Sequence, residues 1–170
     1  TVDLPLTLRA DSTSLAKWWV DGSHAPHPDS RGHSGGCMSL RKGMPITGSM
    51  KQKLNMRSST ESELVGTDDI STMILWMRLF MEAQGYEIKK NILYQDNKST
   101  ILSEQNGKKS SGKWTHTLNV QYFFLMDQVE KGNLSIKYMN TDNMWANYMS
   151  KPLQGYKFHK HEKNIIGQAE

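Results

Sequence analysis

Cys37 stands alone in a chain of 170 residues. That excludes an internal disulfide framework and a multi-thiolate zinc site, and it favours a reducing intracellular compartment over secretion. Long apolar runs are missing as well. The most apolar stretch, 73–81, is broken by Arg78 and falls far short of the ~20 residues of a membrane-spanning helix. No signal-peptide pattern opens the chain, which starts at Thr1 as a fragment of a longer product would. Neither charge sign dominates: 21 Lys and Arg face 17 Asp and Glu, a net +4 that permits a polyanionic partner without demanding one. There is no internal repeat. A hydrophobic content of 36% with 22% charged residues suits one globular domain with a real core.

Periodicity divides the chain. After a polar segment with little pattern, 17–20 reads as a short strand ending at an Asp21-Gly22 turn signal. Residues 24–32 hold two prolines and few apolar side chains, as a loop does. Strands at 37–40 and 46–50 flank a Lys42-Gly43 turn and complete an antiparallel meander. From Ser58 the period lengthens: Ile70, Ile74, Met77 and Met81 share one helical face, and Gly85 is the stop. A strand at 91–94 leads into a helix after Asp96, and 105–114 is a Gly/Ser/Lys loop. Leu118, Tyr122, Met126 and Val129 mark another helix, closed by Gly132. Leu134, Ile136 and Tyr138 alternate as a strand, and a short helix follows Asp142. The order β-β-β-α-β-α-α-β-α predicts an α/β mixed sheet with helices on its faces.

Carboxylates punctuate this pattern. Asp21 and Asp96 each follow an apolar stretch, where a buried strand ends, and Glu61 and Glu63 open a helix. Carboxylates at adjacent strand ends, with another on a crossing helix, make a site for a hard divalent cation. Mg²⁺ takes few ligands from protein and the rest from phosphate and water. The arrangement points to phosphodiester chemistry.

Four blocks carry a more specific likeness. They are Val20-Asp21-Gly22-Ser23 with Ser34-Gly35-Gly36; Ser49-Met50-Lys51-Gln52 followed by 58–64; Leu93-Tyr94-Gln95-Asp96-Asn97-Lys98-Ser99; and Tyr138 to Asp142 with Trp145-Ala146-Asn147 and Lys151-Pro152-Leu153. In this order they resemble the ribonuclease H domain of Ty1/copia-type LTR retrotransposon reverse transcriptase polyproteins. The resemblance implies a ribonuclease H-like fold, with a five-stranded mixed sheet of three antiparallel strands plus two parallel ones flanked by helices. It implies Mg²⁺-dependent cleavage of the RNA strand of an RNA–DNA hybrid, with two ions and Mn²⁺ as a substitute. Asp21, Glu63 and Asp96 would be catalytic metal ligands, and position 147 the fourth. Ser23, Asn97, Ser99, Lys108, Lys109 and Lys113 would meet nucleic acid. A reverse transcriptase domain would adjoin the chain, and the setting would be cytoplasmic virus-like particles. Residues 1–15 would link to the polymerase side, 16–155 would form the domain, and 156–170 a basic tail.

Two positions depart from the family. Asn147 stands where it has Asp, and the stretch Lys113-Trp114-Thr115-His116-Thr117 replaces a more basic run. Asn keeps the shape and a carbonyl oxygen but loses the charge, so a catalytically impaired remnant is the alternative. A transposase or integrase of the same fold places its glutamate after both aspartates, whereas Glu63 lies between them.

Plainer roles compete at several residues. Asp96 could simply cap the following helix. Ser58 with Glu61, and Thr60 with Glu63, both have capping-box spacing; with Ser58 as the cap, Glu61 closes the box and Glu63 faces the sheet. Asp142 suits a helix cap, and Asp68 and Asp69 a solvated helix face or the site's rim. His24, His27 and His33 belong to a loop at the mouth of the site, and His159 and His161 to a solvated tail.

Overall fold

The computed structural model describes residues 3–98, 101 and 116–168, with 116–122 described by their backbone alone. Its strands are β1 (Arg9–Ala10), β2 (Leu15–Ser23), β3 (His33–Ser39), β4 (Arg41–Lys42), β5 (Ile46–Lys51), β6 (Lys90–Gln95) and β7 (Ser135–Tyr138). Its helices are α1 (Ser59–Ala83), α2 (His116–Glu130), the short α3 (Asn147–Ser150) and α4 (Gly155–Ile165). Five strands form one mixed sheet in the order β5-β3-β2-β6-β7, with β1 and β4 a separate ribbon. The meander β2-β3-β5 is antiparallel, while β6 and β7 join in parallel. Three antiparallel strands plus two parallel ones are the sheet that the resemblance implies.

Alternation along β2 explains its central place. Trp18 and Val20 face one side and pack with Met38, Leu93, Leu64, Ile70 and Ile74 under α1. Trp19 and Cys37 face the other, where Met44, Met144 and Ala146 cover them. Trp19 also packs on Trp145 with ring centroids 4.1 Å apart. The period read at Ile70, Ile74 and Met77 is the buried face of α1. Each such side chain contributes about 1.5–3 kcal/mol on burial, so packing holds α1 against the sheet firmly enough to carry polar groups with it.

The far end of the chain differs from its sequence reading. Residues 156–170, read as a solvated basic tail, contain α4, with His161 and Glu162 buried. The carbonyls of Ile166 and Ile165 accept hydrogen bonds from Thr7 (2.8 Å) and Met44 (2.9 Å). The segment before Leu15, read as patternless, contributes β1 to this junction.

The helix after Asp96 is seen at Lys98 and Ile101, whose N–H donates to the Asn97 carbonyl (3.1 Å). Ser99, Lys108, Lys109, Lys113 and the loop 105–114 lie outside the described residues, as do the side chains of Thr117, Leu118 and Tyr122.

Candidate functional site

Asp21 is fully buried near the end of β2. The strand does not turn there, as the Asp21-Gly22 pair suggested, but runs on to Ser23 in register with β3. Gly22 serves another purpose: a Cβ on it would lie 2.2 Å from the Ser62 carbonyl oxygen and 2.7 Å from the Glu63 Cα. The start of α1 therefore rests directly on the β2 backbone. Gln52, completely buried, secures the contact by donating to Ser34 Oγ (3.1 Å) and the Ser62 carbonyl (2.8 Å). Asp69, far from a free solvated face, accepts from the Ser34 hydroxyl (2.6 Å).

That contact delivers Glu63. Its Oε2 accepts from the Gly22 N–H at 2.9 Å. Ser58 is the cap, its hydroxyl accepting from the Glu61 N–H at 3.2 Å. Glu61 reaches back to the Arg57 N–H (2.8 Å) rather than to the cap residue itself. The two glutamates thus part: Glu61 stabilises the helix start and Glu63 turns to the sheet.

Asp96 follows β6, which pairs in parallel with β2 through Trp19 and Tyr94. Asp21 and Asp96 consequently emerge side by side. Ligand oxygens of Asp21, Glu63 and Asp96 lie within 4.8 Å of one another. Burial, then the Asp21 charge, pushes the Glu63 carboxyl well above its usual range, against the pull of the Gly22 N–H. Asp96 is raised too, first by burial, with its hydrogen bond to Thr141 opposing and the Asp21 charge adding. Glu63 and Asp96, both resisting ionisation beside Asp21, complete with it the donor set of a hard divalent cation, which would relieve both effects. The residues fit that group.

Position 147 completes one wall. Asn147 is buried at the start of α3, and its Nδ2 donates to the Thr141 carbonyl at 3.2 Å, leaving Oδ1 turned to the site. Asp142 is not recruited: it is exposed in the 3-10 turn Thr141–Asn143, and Asn140 is the cap there, accepting from the Asp142 N–H at 2.9 Å. Two neighbours escaped sequence reasoning. Ser150 donates its hydroxyl to Asp21 Oδ2. The Lys151 ammonium donates to Asp21 Oδ1 (2.9 Å) and Asn147 Oδ1 (2.6 Å). The signal was present in the one-turn spacing of Asn147 and Lys151 before Pro152, but only the fold brings Asp21 to them. Gly35 makes room, since a Cβ there would sit 2.8 Å from the Ser150 nitrogen.

The loop histidines are better ordered than a solvated loop implies. His24 Nδ1 lies 3.2 Å from Ser62 Oγ. Ser49 gives its proton to the Met149 carbonyl (2.7 Å), so His33 Nε2 donates to Ser49 (2.8 Å) and His33 Nδ1 accepts from His27 (3.0 Å). Burial, then His27, lowers the His33 pKa, consistent with this neutral tautomer.

Asn and Asp are nearly isosteric, which by itself would leave Asn147→Asp neutral for stability. The structure revises this. An Asp would aim one oxygen at the Thr141 carbonyl in place of the Nδ2 donor, and an unsatisfied buried acceptor costs about 1–3 kcal/mol. Asn147→Asp should lower metal-free stability by roughly 1 kcal/mol after its gain from Lys151, yet strengthen divalent-ion binding. Paired urea melts with and without Mn²⁺ check this; a variant stabilised without metal would contradict it.

No family model matches the chain. Several curated relatives are similar in sequence. The Retrovirus-related Pol polyprotein from transposon TNT 1-94 of Nicotiana tabacum is 24% identical over 148 residues, 86% of this chain and 11% of the relative. The Retrovirus-related Pol polyprotein from transposon RE2 of Arabidopsis thaliana is 25% identical over 167 residues, 97% of this chain and 11% of the relative. The chain thus spans about a tenth of the length of the relatives it matches. Among solved structures, LC11-RNase H1 in complex with an RNA/DNA hybrid superposes with a TM-score of 0.54 at 11% identity, covering 76% of this chain and 88% of the other. The Prototype Foamy Virus Protease-Reverse Transcriptase gives 0.54 at 10% identity, covering 96% of this chain and 22% of the other. The sequence relatives are retrotransposon Pol polyproteins, and the fold is that of ribonuclease H domains.

Proposed function

We propose that this chain is the ribonuclease H of a retrotransposon Pol polyprotein and hydrolyses the RNA strand of RNA–DNA hybrids with Mg²⁺ or Mn²⁺. The observation that carries the reading is the convergence of Asp21, Glu63 and Asp96 oxygens within 4.8 Å, at adjacent strand ends of a ribonuclease H-like sheet. These three would hold the metal, with the Asn147 carbonyl oxygen as a neutral fourth donor. Divalent ions in such a site supply water activation and charge neutralisation at the departing 3′ oxygen.

The chain's own groups set up that chemistry. The Gly22 N–H aims Glu63, Ser150 and Lys151 orient the Asp21 carboxylate, and the Thr141 contacts hold Asp96 and the Asn147 amide. Ser23, Asn97 and Ser99 adjoin the carboxylates in sequence and would meet the hybrid backbone. Lys108, Lys109 and Lys113 would neutralise phosphates without reading bases. Ribose 2′-hydroxyls and groove shape would select RNA in a hybrid over duplex DNA. In this reading residues 16–155 form the nuclease domain, and a reverse transcriptase domain adjoins it in cytoplasmic virus-like particles. The exposed Trp76, Leu79 and Phe80 on α1 form an apolar patch of the kind that a neighbouring domain covers.

Asn147 favours a second reading, a remnant that binds hybrid without cutting. A labelled RNA–DNA hybrid incubated with Mg²⁺ separates the two. The proposal expects RNA-strand nicks and duplex DNA cut at least ~10²-fold more slowly, well within the roughly 10⁴–10⁵-fold discrimination of sites built to bind a substrate hydroxyl. Equal cutting of both would point to a nonspecific or transposase-like nuclease. Binding without cutting supports the remnant.

A further inference from the structure

We propose that the Lys151 ammonium is a built-in cation of this site: it fills the position between Asp21 and Asn147, so that the chain binds one divalent ion tightly rather than two. The inference rests on the hydrolase reading and deepens it. Lys151 makes two hydrogen bonds, to Asp21 Oδ1 (2.9 Å) and Asn147 Oδ1 (2.6 Å), with its side chain only 38% exposed. Asp21 is wholly buried, so its charge needs a partner in every state of the protein. Ser150 occupies its other oxygen. Both oxygens of Asp21 are therefore engaged from the α3 side, and one of them by a full positive charge.

The charge count agrees. Once a bound ion draws all three carboxyl groups into their charged form, Asp21, Glu63 and Asp96 bring three negative charges and Lys151 one positive, leaving two, which one divalent ion neutralises. A second ion beside the ammonium would meet a neutral amide at 147 and unbalanced repulsion. Lys151 belongs to a block that carries the family likeness, so it is the neutral amide at 147 that leaves the ammonium without a competing carboxylate there.

Local structure holds the lysine there. Lys151 is the C-cap of α3, with an extended backbone, and its N–H donates to the Asn147 carbonyl at 3.0 Å. Pro152 follows and favours that extended conformation. Lys151 is a positioning residue: it orients Asp21 and neutralises charge where an ion would otherwise be needed.

Mn²⁺ titrations of the full chain, read by calorimetry and by the spin signal of free Mn²⁺, test this without reference to turnover. The parent and Lys151→Arg should each bind a single tight ion, and the Lys151→Met/Asn147→Asp double variant should bind two. Two ions in the parent with affinities within about tenfold of each other, a gap of 1.4 kcal/mol, would overturn the inference and leave the hydrolase reading standing. No ion in the parent would overturn both. If the double variant does not fold, acetylation of the parent's lysines followed by mass spectrometry decides. Lys151 should stay protected at saturating Mn²⁺, whereas a rise to the rate of exposed lysines would show that an ion displaces it and overturn the proposal.

Discussion

Asp96→Asn should abolish hybrid cleavage while leaving the fold as stable as before, or more so. The two outcomes have one origin. Burial and the neighbouring Asp21 already disfavour the ionised form of Asp96 in the metal-free protein. A neutral isostere removes that conflict and can still meet Thr141. In the metal-loaded site the same charge is what a divalent ion binds, and no other described carboxylate lies within reach to replace it. Losing one preorganised charged ligand should cost about 4 kcal/mol of transition-state stabilisation, on the order of 10³-fold in rate. Single-turnover cleavage beside a urea melt tests both halves. Cleavage within about tenfold of the parent, a mere 1.4 kcal/mol, would remove Asp96 from the site. A large loss of stability would instead mark it as a structural cap, the plainer role its position allows.

That ambiguity at Asp96 shows what a sequence carries and what it does not. The element order was legible because α1 repeats at helical spacing, a period that records a face that must be buried, while the pairing of three antiparallel and two parallel strands followed from the resemblance. Asp21, Glu63 and Asp96 stood out because each follows an apolar stretch or opens a helical pattern in the sequence, although β2 in fact runs on past Asp21 to Ser23. Ser150 and Lys151 did not: the one-turn spacing of Asn147 and Lys151 is visible, but until the fold brings Asp21 beside it a lysine after a short helix reads as solvated. Their roles exist only because Gly35 lets α3 lie against β3 beside Asp21. The junction of α4 with the N-terminal segment and Met44 was hidden for a related reason: it joins two ends of the chain whose meeting no local pattern shows. The His27–His33–Ser49 chain likewise needs the β3–β5 pairing of His33 with Lys51 before its members meet.

Gly22 was the most misleading residue, and its replacement has the other large expected effect. Asp-Gly reads as a turn, yet the strand passes straight through it. The glycine is needed because the α1 backbone lies where a side chain would be. A methyl group at 22 would approach the Ser62 carbonyl oxygen to 2.2 Å, its carbon to 2.5 Å and the Glu63 Cα to 2.7 Å. All three are backbone atoms, so no rotamer change relieves the clash and the first turn of α1 must lift. Lifting it breaks the Gly22–Glu63 hydrogen bond and the buried Gln52–Ser62 contact together. Overpacking a core commonly costs 1–3 kcal/mol, and the rigid neighbours place Gly22→Ala at the upper end, about 3 kcal/mol. In a chain of this size that lowers the melting temperature by roughly 6–12 °C. Cleavage should fall further than stability explains, because Glu63 moves with the helix that carries it. Gly85→Ala is the control: its φ is +84° with no atom within 4 Å of the added Cβ, so about 1 kcal/mol of backbone strain should appear with cleavage unchanged. A Gly22→Ala protein that folds, binds Mn²⁺ and cuts like the parent would mean that α1 can rest elsewhere on β2, and that Glu63 is not held in place by this contact.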